Sequence, residues 1–141
     1  MRISIITFSK KLSSTEQSWI NTYEKRLKHF CNFEILRYSE NKNLEAIFKK
    51  KSAQAYIIAL DEKGPQLSSK KLADKLNHHC QHDLYFIIGG SYGLPKDTDA
   101  FAQEHLSLSK MTLPHRIALL VLTEQIYRAF TIQKNLPYHH N

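Results

Sequence analysis

Leu84-Tyr85-Phe86-Ile87-Ile88-Gly89-Gly90-Ser91-Tyr92-Gly93-Leu94-Pro95 decides the class of fold. An unbroken apolar run that ends in paired glycines reads as a strand buried on both faces and breaking into a tight turn, as in a parallel sheet covered by helices. Working upstream, Ala55 to Leu60 (AYIIAL) repeats the buried run and ends in the polar turn Asp61-Glu62-Lys63-Gly64-Pro65. Arg2 to Phe8 (RISIITF) is rich in β-branched residues, and Phe33 to Tyr38 alternates apolar with charged side chains, so both read as strands. Helical patterns lie between them. Ser13 with Glu16 and Ser14 with Gln17 have capping-box spacing, and Trp19, Ile20, Tyr23, Leu27 and Phe30 follow at helical intervals. Asn43 to Lys51 puts Leu44, Ile47 and Phe48 on one helical face, and Ser68 caps a helix to about Cys80 with Leu72, Ala73 and Leu76 inward.

Downstream, Asp97 to Glu104 reads as a short helix and Leu106 with Leu108 as a short last strand. Pro114 to about Ile132 reads as a long helix opened by proline in its first turn, followed by an aromatic, basic tail from Gln133 to Asn141. This order predicts an α/β fold, a mostly parallel sheet with helices on both faces, as a single domain over residues 1–141. Ligands are expected beyond the carboxyl ends of the strands.

The net charge of +7 favours phosphate backbones or anionic lipid as partners. Few glycines and prolines and no internal repeat argue against disordered and solenoid architectures. Met1 to Lys11 lacks the apolar core and cleavage site of a secretory signal, and the longest apolar run, Ile117 to Leu122, is too short to span a bilayer, so a cytoplasmic location is expected. Cys31 and Cys80 are too far apart for a disulfide framework or a zinc motif and read as reduced thiols.

Three constellations are candidates for chemistry. Gly89 to Gly93 lets backbone amides approach a ligand, although the spacing is not that of a dinucleotide fingerprint. Asp61 after the neighbouring strand serves equally as an acid, a base, a ribose partner or a plain loop residue. Leu106 to His115 alternates small polar and apolar groups and suits a purine ring held by backbone hydrogen bonds and apolar contact. His78, His79, Cys80 and His82 are dense enough to weigh a metal, but histidines favour helix ends electrostatically and no second ligand cluster accompanies them. No metal is expected. The apolar circumference of the last helix from Ile117 to Leu122 calls for burial on two sides, in a core or a homodimer seam. Arg128, Lys134, Tyr138, His139 and His140 combine charge with stacking surfaces, as RNA contacts do.

Together, IIGGSYGL, LSLSKMTLPHR, EQIYRAFTI and NLPYHH resemble the ribosomal RNA large subunit methyltransferase H family of the SPOUT superfamily. The likeness is strongest over Tyr85 to His140. It implies a C-terminal trefoil knot, a homodimer, and S-adenosylmethionine held by Leu60, Gly89, Leu108, Ser109, Lys110, Met111, Thr112 and Leu113. The implied reaction is methylation at N3 of a pseudouridine in 23S rRNA on the assembled ribosome. Such chemistry needs alignment of the nucleophilic nitrogen with the methyl group and a base or positive field to favour its anion. His139 is the expected catalytic residue, with Tyr138 stacking, Arg128 binding phosphate or orienting the tail, and His140 on RNA. The tail departs from the resemblance at His140, where the family commonly has Arg or Lys. Leu119 stands where many relatives carry Arg, a departure expected to weaken an intersubunit or RNA contact. A flavodoxin-like nucleotide binder and a non-catalytic ribosome-binding factor are the competing readings, told apart by ligand choice and by methyl transfer.

Overall fold

A computed structural model of the chain describes residues 1–8, 11–49 and 55–140. Its elements run β1 (Arg2–Thr7), α1 (Ser14–Leu27), β2 (Asn32–Arg37), α2 (Leu44–Phe48), β3 (Ala55–Leu60), α3 (Ser69–His78), β4 (Asp83–Ile88), α4 (Thr98–Phe101), β5 (Glu104–Leu106) and α5 (His115–Gln133). All strand pairs are parallel, in the order β2-β1-β4-β3-β5. The central strands β1, β4 and β3 carry the continuous apolar runs because both of their faces are covered. In register, Ile5, Phe86 and Ile58 form one row across the sheet, packed with Ile20 and Leu27 of α1, Leu72 and Leu76 of α3, and Leu122 and Ile126 of α5. One residue along, Ile6 and Ile87 face the other way, towards Leu44 and Ile47 of α2 and Phe101 just at the end of α4. Helices therefore cover both faces.

Local chemistry accounts for the element ends. At the start of α1 the Ser13 hydroxyl accepts the Glu16 amide at 3.2 Å while the Glu16 carboxylate accepts the Ser13 amide at 2.9 Å, a reciprocal cap that contributes about 1 kcal/mol. Trp19, expected on the buried face, is 52% exposed, whereas Phe30 leaves the helix and stacks on Phe130 with ring centroids 5.4 Å apart. Asn43 caps α2, and the Asp97 carboxylate accepts the Leu44 and Glu45 amides at 3.0 and 2.9 Å, tying the chain before α4 to α2. α2 ends at Phe48 with Lys49 as its C-cap, and Lys51, the expected terminus, lies outside the described residues.

Four further expectations need correction. The helix expected to reach Glu104 ends at Phe101, and the last strand is Glu104–Leu106, not a Leu106–Leu108 pair. Gln103 clamps the Ile57 peptide, donating its backbone amide at 2.9 Å and accepting with its side chain at 2.6 Å, so pairing with β3 starts earlier than hydrophobicity suggests. Glu104 is tolerated there because Lys75 at 2.6 Å and the Tyr56 hydroxyl satisfy its carboxylate. Leu119 is fully buried in the core between α5 and the sheet, so the contact that leucine was expected to weaken is not on the surface of this chain. Pro114 sits at the N-cap of α5, one residue before the first turn.

The histidine cluster lies at the amino end of the sheet. His79, at the C-cap of α3, stacks on Tyr56 at 3.9 Å, and its Nδ1 lies 3.4 Å from Nδ1 of His82. Burial, then the charges of His78 and His82, lowers the His79 imidazole from its ordinary value; Glu104 pulls the other way, and Lys75 adds to the lowering. The unfolded chain then binds the proton more readily than the folded one. Stability is retained above about pH 6.5, the unperturbed histidine value, and falls as pH drops below it. Thermal melts between about pH 7 and 5 are expected to show a falling midpoint that is flatter in His79→Phe, which keeps the ring on Tyr56; parallel profiles would exclude His79 as the source.

Candidate active site

Three segments leave the carboxyl edge of the sheet and enclose a cavity of about 480 Å³, within the size range of small-molecule sites. Leu60 at the end of β3, Gly89 after β4, and Leu108, Ser109, Met111, Thr112 and Leu113 after β5 all line it. Lys110, expected with them, is exposed and not part of the lining. The first turn of α5 closes the cavity through His115 and Ala118.

The glycine turn is shaped by contacts no side chain would allow. A Cβ on Gly89 would lie 2.5 Å from the Gly93 carbonyl carbon, and one on Gly90 would collide with the Phe8 carbonyl oxygen at the end of β1. The turn is held from outside as well, because the Glu40 carboxylate accepts the Ser91 amide at 2.8 Å. The facing loop is tied by its own hydroxyls. Ser107 donates to the Ser109 carbonyl at 2.9 Å, the Met111 amide donates to the Ser109 hydroxyl at 3.0 Å, and Thr112 donates to Glu62 at 2.6 Å. With its hydroxyls so engaged, the loop offers backbone groups and the apolar Leu108, Met111 and Leu113, which suits a flat heteroaromatic ring. Asp61 accepts the Lys63 amide at 3.0 Å and lies 3.2 Å from His105 Nδ1, which makes it a loop-tying residue at the rim. Among the described residues no group of three or more His, Cys, Asp or Glu is placed to hold a metal ion.

Tail residues form a second cluster. Asn135 takes a left-handed conformation (φ 56°) that ends α5 and turns the chain back along it. Arg128 then donates to Glu124 through Nη2 at 2.9 Å and Nε at 3.1 Å and to His139 Nδ1 through Nη1 at 3.1 Å, while its guanidinium lies 4.7 Å from the Tyr138 ring centre. The Tyr138 hydroxyl donates to Glu124 at 2.9 Å and its ring meets Tyr127 edge-on at 4.8 Å. Hydrogen bonding to Glu124 raises the Arg128 pKa, and burial followed by hydrogen bonds to Tyr23 and Glu124 raises that of Tyr138. His140 is exposed. Since arginine only donates, His139 Nδ1 accepts, and its other nitrogen carries the proton. Arg128, Tyr138 and His139 are thus brought together, but away from the cavity: Ala118 and Arg128 are ten residues apart on one helix, roughly 15 Å. Sequence reasoning missed Glu40, Glu62 and Glu124, although the i,i+4 spacing of Glu124 and Arg128 was a visible signal.

A family model described as "Predicted SPOUT methyltransferase" matches residues 1–139. The chain is 37% identical to the ribosomal RNA large subunit methyltransferase H of Latilactobacillus sakei and 35% identical to that of Parabacteroides distasonis, in each case over 99% of both proteins. The chain belongs to the ribosomal RNA large subunit methyltransferase H family. Membership places it among the methyltransferases and sets aside the flavodoxin-like reading. In fold it is similar to a probable methylase family protein from Haemophilus influenzae, with a TM-score of 0.56 and 14% identity over 95% of this chain, which spans 66% of that protein's length. No helix among the described residues is long and apolar enough to cross a membrane.

Proposed function

We propose that this protein transfers the methyl group of S-adenosylmethionine to N3 of a pseudouridine in 23S rRNA on the assembled ribosome, acting in the cytoplasm as a homodimer with a knotted C-terminal segment. The observation that carries the reading is the cavity itself, built from the glycine turn and the Leu108–Leu113 loop at the carboxyl edge of a parallel sheet. Bound there, the sulfonium supplies an activated methyl group. The chain's own task is to hold donor and acceptor in line and to exclude water. The glycine turn and Leu60 would hold the polar end of the donor, and Leu108, Met111 and Leu113 its ring.

The acceptor nitrogen must lose its proton, which passes to water, and the tail is the group of residues suited to favour the resulting anion. Arg128 occupies Nδ1 of His139, so that ring offers its Nε2–H to a developing anion on the target base and acts as a donor, not as the proton acceptor. Tyr138, held by Tyr127, Arg128 and Glu124, anchors the tail in this reading, and His140 is left free for phosphate. The distance between tail and cavity along α5 is bridged if a second copy lends its tail, which is the reason for including the homodimer. A two-fold partner would also cover Ile117, 40% exposed on α5.

The test is incubation with labelled S-adenosylmethionine and ribosomes from a strain lacking the modification, followed by nucleoside mass spectrometry. Labelled N3-methylpseudouridine is the expected product. Ribosome binding without label would instead identify a non-catalytic factor.

A further inference from the structure

We propose that α1 carries a phosphate-binding face that leads RNA to the tail, with Arg26 as its principal contact. This rests on the rRNA reading above and adds to it a site that neither the family motifs nor the tail contains. The argument begins with charge. Arg128, the cation that the sequence offers for RNA, spends Nε and Nη2 on Glu124 and Nη1 on His139, so its charge is neutralised where it stands. Arg26 is different. Its guanidinium lies 5.4 Å from the centre of the Tyr127 ring and 5.7 Å from that of Tyr23, and no hydrogen bond or ion pair engages it among the described residues. A guanidinium resting on aromatic faces keeps its in-plane N–H groups free, the arrangement in which arginine grips phosphate.

Position supports the same conclusion. Tyr127, under Arg26, meets Tyr138 edge-on at 4.8 Å, and Tyr138 in turn lies under Arg128, so the free cation and the tail share one aromatic stack. From Arg26 one face of α1 runs back through Lys25, Thr22, Asn21, Ser18 and Ser14, every one of them polar and exposed. Hydroxyls, amides and cations without an apolar floor suit sugar and phosphate, not a protein partner or a lipid chain. Lys25 extends the positive charge, and the overall charge of +7 supports long-range attraction to RNA. The face would position the strand flanking the target base, with register set by phosphates and the base left to the tail.

The test is the salt dependence of binding to assembled ribosomes for the wild-type chain, Arg26→Gln, Arg26→Lys and, as a control on the opposite side of the sheet, Lys49→Gln. Loss of one phosphate contact should reduce the slope of log affinity against log salt by about 0.7–0.9 and weaken binding roughly 5- to 10-fold. Arg26→Gln should show this, Arg26→Lys should restore the slope, Lys49→Gln should match wild type, and the affinity of all four for S-adenosylmethionine should be equal. An unchanged slope in Arg26→Gln overturns the proposal, as does a loss of affinity that is the same at every salt concentration, which would mark Arg26 as a packing residue. Wild-type protein that binds S-adenosylmethionine but not ribosomes would overturn the rRNA reading itself, and this face with it.

Discussion

Replacing Gly90 by alanine is expected to reduce cofactor affinity by up to about two orders of magnitude. The new methyl group would meet the Phe8 carbonyl oxygen, a backbone atom just past β1, as well as the Glu40 carboxylate, whose Oε1 lies 2.8 Å from the Cβ position. Neither neighbour is free to retreat: Phe8 is anchored in the core, and Glu40 accepts the Ser91 amide. The turn must therefore move away from β1 and into the cavity it lines. Strained backbone costs on the order of 1–3 kcal/mol per residue, and the upper value corresponds to roughly a 100-fold loss in binding. Calorimetric titration with S-adenosylmethionine checks this, with a thermal melt to separate site damage from unfolding. Tyr92→Ala in the same turn is the control, because that side chain is 93% exposed and should leave affinity within about 3-fold, as surface changes usually do. Equal affinities for Gly90→Ala and wild type would remove the glycine turn from the binding site.

What was legible in the sequence follows from where each signal resides. Buried strands announce themselves by composition, so β1, β3 and β4 were readable to within a residue; capping is a local interaction, so Ser68 marked the start of α3, and the overlapping boxes at Ser13 and Ser14 placed that of α1 to within a residue. The β5 boundary was not legible. Its two polar residues are paired by Lys75, Tyr56 and Asp61, all distant in sequence, as well as by the nearby Asp99. The site divides the same way. Backbone-shaping residues such as Gly89 and the loop residues Leu108 to Leu113 carry a pattern, whereas Glu40 and Glu62 matter through contacts across 51 and 50 positions, for which periodicity gives no sign. The tail was recognisable as aromatic and basic, and its geometry favours one of the two roles open to Arg128: committed to Glu124 and bonded to His139, it orients the tail and is not free for phosphate.

That support makes the second large effect specific. On the proposed role of His139 as a donor to the target base, His139→Ala is expected to lower kcat by roughly 10²–10⁴, the range of one positioned donor or acid–base group, while leaving cofactor affinity unchanged because the ring does not line the cavity of its own chain. If tail and cavity belong to different copies, the two defects reside in different halves of one composite site. A dimer joining a Gly90→Ala chain to a His139→Ala chain then has one site in which both defects meet and one in which neither does. Random co-assembly yields mixed dimers half of the time, each with one intact site of two, so at a cofactor concentration too low to load Gly90→Ala the mixture should recover about a quarter of wild-type turnover by two-fold symmetry. Recovery must appear only after subunit exchange or co-expression, since mixing preformed dimers pairs nothing anew. A tail serving the cavity of its own copy gives no recovery under any protocol, because each chain in the mixture then carries a complete but broken site.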